Sequence, residues 1–242
     1  MHREYHKWFS PTLQRDMELL IFGHSGRPVL FFPPRMGRFY DYENWRVVEA
    51  ISGCINNGEL QLFCVDSVDN ESLYNQDAHP AARIRRHMQY EEYILHEVLP
   101  LMRLMNGNNY TEVAGCSMGA YHALNIALKY PHLFKKVVGM SGRYDLTYAP
   151  PHFKDLFDGY KNGDIYFNMP FLYMPNLYDE HLINSIRRME IIMAIGEADA
   201  FLQNNRQFSQ LLWFKGIPNE LYIWNGEAHK AHYWRRMVQL YL

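Results

Sequence analysis

Cysteine is scarce in this chain: Cys54, Cys64 and Cys116 are the only three among 242 residues, an odd number with no metal-like spacing. A disulfide framework is excluded, and a reducing, cytoplasmic setting is expected. Long apolar runs are missing as well. No stretch is long enough to cross a bilayer, and the polar opening Met1–Lys7 leads into no hydrophobic signal region, so neither a membrane span nor a secretory leader is expected. Neither sign of charge dominates, with 24 Lys and Arg against 26 Asp and Glu for a net charge of −2. That balance leaves no electrostatic footprint for nucleic acid or an anionic membrane. The expected partners are small molecules, with room for a homo-oligomer. Repeats and low-complexity tracts are absent. Asn70-Glu71-Ser72 and Asn109-Tyr110-Thr111 match the glycosylation pattern, but so short a pattern recurs by chance.

What the chain does have is apolar material, 48% hydrophobic residues against 21% charged, enough for one large core in one domain over residues 1–242. Asp16–Gly23 and Val29–Phe32 read as strands joined at Ser25-Gly26-Arg27-Pro28, which predicts an opening β-hairpin. Helical spacing follows over Tyr42–Cys54, then a short buried strand at Leu60–Val65, then a long helix over His79–Met105 interrupted at Pro100. Arg83, Arg85, Arg86 and His87 on that helix read as a solvated face with aliphatic stems over the core rather than a phosphate or nucleic-acid patch. Tyr110–Ala114, Val137–Met140, Ile191–Ile195 and Glu220–Trp224 read as strands. Helices are expected over Ala120–Tyr130, around Asn204–Phe214 and from the last strand to Leu242. Strands alternating with helices predict a mostly parallel twisted sheet covered on both faces, with antiparallel strands at one edge. The aromatic, Pro-, Asn- and Asp-rich segment 144–178 reads equally as a cap-like excursion or as a surface loop packed on itself.

The most informative residues are Gly115-Cys116-Ser117-Met118-Gly119. They fit a G-x-S-x-G elbow, in which a strand turns sharply into a helix and presents a nucleophilic serine. A strand-like run precedes them and a helical one follows until Pro131. Strained backbone angles at the serine leave no room for side chains two positions to either side, which explains the glycines. The Met118 N–H, at the helix start, is placed to stabilise an oxyanion.

On such a scaffold an acid and a histidine follow the serine, each on a loop after a later strand. Six histidines follow Ser117: His122 and His132 belong with the elbow helix, His152 and His181 fall in the irregular segment, and only His229 and His232 come after the last strand. His229 is favoured because Asn225-Gly226-Glu227-Ala228 forms a loop that can aim it, whereas His232 falls in the closing helix. The pair's spacing also suits two metal ligands, yet no third ligand cluster lies nearby, and no metal or cofactor is expected. Asp199, just after the strand Ile191–Ile195, is the expected acid. Asp145 is its rival and Glu197 its local backup; a capping or turn role is the alternative for each.

The chain resembles the esterase D-like branch of the α/β-hydrolase superfamily. The resemblance rests on Gly115–Leu124, Ala127-Leu128-Lys129-Tyr130-Pro131, Ser141-Gly142-Arg143-Tyr144-Asp145-Leu146 and Ala228–Trp234, and extends over nearly the whole chain. It implies an α/β-hydrolase fold and a triad of Ser117, Asp199 and His229. Two departures stand out. Pro33–Tyr42 lacks the His-Gly-Gly pattern of many esterases, and alignment on Asp41–Trp45 assigns the second oxyanion N–H to Met36, with Arg35 and Gly37 as neighbouring registers. Lys230-Ala231 also replaces the Asp-Trp that follows the histidine in related esterases. The implied activity is hydrolysis of short-chain carboxylic esters or thioesters. An acyltransferase using the same triad and a non-catalytic binding protein on the same fold are the alternatives.

Overall fold

A computed structural model describes residues 1–242. One eight-stranded sheet organises it, in the order β1-β2-β4-β3-β5-β6-β7-β8. The strands are β1 (Arg3–Ser10), β2 (Arg15–Phe22), β3 (Arg27–Phe32), β4 (Leu60–Val65), β5 (Glu112–Cys116), β6 (Lys136–Met140), β7 (Glu190–Gly196) and β8 (Glu220–Trp224). From β4 onward through β3, β5, β6, β7 and β8 every pairing is parallel, while β1–β2 and β2–β4 are antiparallel. This is the α/β-hydrolase fold with antiparallel strands at one edge.

The opening hairpin is built from different strands than the sequence predicts. Arg3–Ser10, which overlaps the polar opening Met1–Lys7 and is not expected to be a strand, pairs with β2, and the chain turns at Gln14, whose N–H donates to Ser10 O at 2.8 Å. The expected partners β2 and β3 do not pair, because β4 lies between them. All six residues of β4 are buried, and it takes a neighbour on each side. The intervening turn is pressed onto the start of β4: the Arg27 N–H donates to Glu59 O at 2.9 Å, and a Cβ on Gly26 (φ +95°) would overlap the Glu59 backbone.

Side-chain alternation along the central strands sends two apolar sets to opposite faces. Leu30, Phe32, Val113, Ile191 and Met193 face one core, covered by the long helical stretch from Pro80 to Met105, the elbow helix Met118–Lys129 and the helix Leu202–Phe214. Val29, Phe31, Ala114, Ile192 and Ala194 face the other, covered by the closing helix Ala231–Tyr241 and the helical turns between Asp41 and Asn56. Those turns are three pieces rather than the expected single helix, broken where Arg46 adopts φ 59°. The long stretch stays helical through Pro100. A π-turn at Ile94–Val98 widens it just before the ring that has no N–H to donate.

His87, on the helix Pro80–Tyr93, is 2% exposed, with Nε2 3.3 Å from the Tyr121 hydroxyl and Nδ1 without a partner. Burial lowers its pKa well below the ordinary value, and the neighbouring His122 adds to the effect. Below pH ~6.5 the unfolded chain therefore takes up a proton there that the folded protein refuses, and stability falls with pH by up to about 1.4 kcal/mol per pH unit until the folded group charges. His87→Gln is expected to flatten the fall in stability between pH 7.5 and pH 5, measured by urea unfolding. An unchanged slope would assign the acid sensitivity to other groups.

Candidate active site

Ser117 stands between β5 and the elbow helix at φ 56° and ψ −116°, a conformation that costs an L-residue energy and needs enforcement by its surroundings. Both flanking glycines supply it. A Cβ on Gly115 would overlap the Gly119 backbone, and one on Gly119 would overlap the Phe32 carbonyl. The Ser117 N–H donates to Met140 O at 2.7 Å, fastening the elbow to β6. Tyr42 locks the other side: its hydroxyl accepts from the Cys116 N–H at 3.0 Å and donates to Phe32 O at 2.7 Å. Met118 opens the helix, so its N–H has no acceptor one turn earlier.

The structure brings Ser117, His229 and Asp199 together from three separate loops. His229 Nε2 lies 2.8 Å from Ser117 Oγ, and His229 Nδ1 lies 2.7 Å from Asp199 Oδ2. An ionised Asp199 only accepts, so it selects the tautomer with hydrogen on Nδ1 and leaves Nε2 to accept from the serine. Asp199 is 7% exposed, and its Oδ1 accepts from the Phe201 N–H at 2.8 Å. The two supporting loops are stitched to each other: the Ala198 N–H donates to Gly226 O at 3.0 Å, and a Cβ on Gly196 would overlap the Glu227 carbonyl. Glu197 is used in that stitching, accepting from the Gly226 N–H. Ala228 O accepts from Ser141 Oγ at 2.7 Å, and Ser141 Oγ in turn accepts from Trp234 Nε1 at 3.1 Å, which fixes the His229 loop.

The other candidates lie elsewhere. Asp145 Oδ1 accepts from the Thr147 N–H and hydroxyl in a local turn. His232 is in the first turn of the closing helix, packed on Tyr233. A cavity of about 660 Å³ opens over Ser117 and His229. Segment 144–178 divides: His152, Phe153, Lys154 and Leu156 line this cavity, whereas Ile165 and Met169 pack beside Met118 and Tyr121.

The loop after β3 corrects one sequence assignment. The Met36 N–H, expected to face the oxyanion, donates instead to Asp69 Oδ2 at 2.9 Å, and its side chain is 49% exposed. Gly37 is engaged too, its N–H donating to Pro34 O at 2.8 Å across a tight turn. The Arg35 N–H makes no hydrogen bond within the protein, and Arg35 lines the cavity beside Ser117 and Met118.

A family model described as "Putative esterase" matches residues 37–237. The chain belongs to that family. This protein is accordingly a serine hydrolase of the carboxylic ester class. Among solved structures it is similar to a ferulic acid esterase (TM-score 0.78, 18% identity, 99% of this chain and 95% of that one). It is also similar to the S-formylglutathione hydrolase FrmB from Staphylococcus aureus (TM-score 0.72, 17% identity, 99% and 94%). The fluorophosphonate-binding serine hydrolase FphF of Staphylococcus aureus gives TM-score 0.71 at 16% identity, covering 99% and 96%. At such identities these neighbours bear on the fold alone. No curated protein matches the chain.

Two buried residues of this family member escape a sequence reading. Asp69, 1% exposed, accepts from the Met36 N–H through one oxygen and lies 3.2 Å from His122 Nε2 through the other. His122 is on the elbow helix, stacked on Phe32, so Asp69 ties the loop after β3 to the element carrying Ser117. Nothing near Asp69 in sequence marks this role, since it lies in a loop before the long helix and far from its partners along the chain. Arg143 is the other, described below.

Proposed function

We propose that the protein hydrolyses short-chain carboxylic esters or thioesters through an acyl-enzyme on Ser117. The observation that carries this reading is the unbroken chain from Ser117 Oγ to His229 to Asp199, at 2.8 and 2.7 Å. His229 takes the serine proton as Oγ attacks the carbonyl carbon, then returns it to the leaving alcohol or thiol; water repeats the sequence to release the acid. Asp199 holds the imidazole and stabilises its charged form. The Met118 and Arg35 N–H groups receive the oxyanion, Arg35 replacing Met36 in this role because its donor is free. Three unbridged cysteines favour a cytoplasmic location, and no helix is long and apolar enough to cross a membrane.

Active-site titration with a fluorophosphonate tests the reading. Stoichiometric labelling of Ser117 is expected. An unlabelled, folded protein would favour a binding function on the same fold. Among 4-nitrophenyl esters from acetate to palmitate, kcat/KM is expected to climb by about 0.8 kcal/mol per methylene that fits and then drop within a few carbons. A continued rise through the long chains would assign a long-chain substrate instead.

Asp69 provides a further test as a positioning residue. Asp69→Asn puts an amide where Met36 and His122 meet a carboxylate, and the loop bearing the Arg35 N–H loosens. A loss of up to about 10² in kcat is expected, with KM nearly unchanged, because the oxyanion exists only after attack. A change confined to KM would remove Asp69 from this role.

A further inference from the structure

The cavity over Ser117 collects cations that the proposed hydrolysis does not need. Arg35, Arg143 and Lys154 all line it, and no carboxylate lies within 4.0 Å of any of the three side-chain charges. The acids on the same wall are committed, Asp199 to His229 and Glu227 to Lys230. Beyond the wall, Asp145 is bound to Thr147, and Asp155 accepts the N–H groups of Phe157 and Gly159. In a chain of net charge −2, this is a locally positive site.

Arg143 is the decisive member. It is 7% exposed; all its hydrogen bonds go to backbone carbonyls, and the guanidinium lies over the Phe201 ring, 5.2 Å from its centre. Nε donates to Asp145 O at 3.1 Å, while Nη2 is shared among Leu146 O (2.9 Å), Lys154 O (2.7 Å) and Tyr148 O. Nη1 has no hydrogen-bond partner in the protein and is not a sealed-off atom, and Arg143 lines the cavity. A cation this deeply buried is normally paired. Burial pushes its pKa down, against the weaker pull of Tyr74, Asp145 and Asp155. Clamping the loop accounts for Nε and Nη2 and leaves the two N–H groups of Nη1 unexplained. A charged N–H donor left over in this way suits an anion such as a carboxylate.

We propose that Arg143, with Lys154 and Arg35 beside it, binds a carboxylate carried by the substrate, making the substrate an anionic ester or thioester. The proposal rests on the hydrolytic reading of Ser117 and narrows its substrate class. The carboxylate belongs either to the acyl part or to the leaving alcohol, and the two are tested separately. For the acyl part, 4-nitrophenyl hydrogen adipate is compared with the 4-nitrophenyl ester of adipamic acid. For the alcohol, 4-acetoxybenzoate is compared with 4-acetoxybenzamide.

In at least one pair the anion is expected to be favoured in kcat/KM by about 10-fold or more at low salt, with the ratio shrinking as salt is raised. Arg143→Met and Lys154→Met each lower that ratio, and Lys154, on the surface, keeps the test open if Arg143→Met does not fold. Equal or inverted ratios in both pairs, alongside ordinary hydrolysis, would overturn the proposal and leave the esterase reading standing. Calorimetric titration of adipate and of 4-hydroxybenzoate into Ser117→Ala protein reads the site without chemistry. Binding weakened about 10-fold by adding Arg143→Met supports it even if the hydrolytic reading fails, and no binding of either anion overturns it.

Discussion

Alanine at position 117 is expected to remove nearly all ester hydrolysis, by up to about 10⁶ in kcat, and alanine at 229 to do almost the same. The physical reason is that the two side chains act as one unit, with Nε2 2.8 Å from Oγ. Without the base the hydroxyl is a poor nucleophile, and without the hydroxyl the base has nothing to activate. The double replacement should therefore cost little more than either single one. His232→Ala is the contrasting case: its ring packs on Tyr233 in the closing helix and makes no hydrogen bond to Ser117 or Asp199. Most activity should survive. Initial rates on 4-nitrophenyl acetate, with folding checked by circular dichroism, measure all four proteins. An inactive His232→Ala beside an active His229→Ala would reassign the base.

Asp199→Asn is expected to cost roughly 10⁴ in kcat while leaving the fold intact. An amide at this position can donate to His229 Nδ1, favouring the tautomer with hydrogen on Nε2, which cannot accept from the serine. The buried setting sharpens the effect, since water has little access to replace the carboxylate at 2.7 Å. Asp145→Asn should fall by no more than a few-fold, because that carboxylate serves the Thr147 turn. The same rate assay decides between them. A loss of the larger size at Asp145 would move the acid to the loop after β6.

The elbow was legible in the sequence because its constraints are local: strand, two glycines and helix lie within twenty residues, and each glycine answers a particular overlap. The order of strands along the chain was enough to single out Asp199 and His229 as candidates. The outer strands were harder. β1 alternates exposed and half-buried residues, with charged and aromatic side chains mixed, as an edge strand does when its inner face rests on a helix. Trp8 and Ser10 both donate to Glu97 of that helix, a partner far away in sequence. The hairpin misreading has a related cause. A turn between two strands suggests pairing, but insertion of β4 is decided by the whole sheet. Met36 failed for want of Asp69, whose carboxylate captures the N–H that register alone seemed to offer. Arg143 stood in plain view within the Ser141–Leu146 motif, but only the folded loop reveals that it has no acidic partner.

The Arg143 clamp also bears on how such proteins diverge. One side chain gathers carbonyls from positions 145, 146, 148 and 154, so the path of the chain around the cavity rim is set by backbone atoms and tolerates changes in the side chains between them. His152, Phe153 and Lys154 project from that rim, while Ser117, Asp199 and His229 are held by separate loops stitched to one another. Substrate preference and bond-breaking machinery can then drift at different rates. The rim becomes an exchangeable cassette: transplanting residues 148–154 from a relative should transfer selectivity while the clamp at 143 and the three distant loops stay as they are.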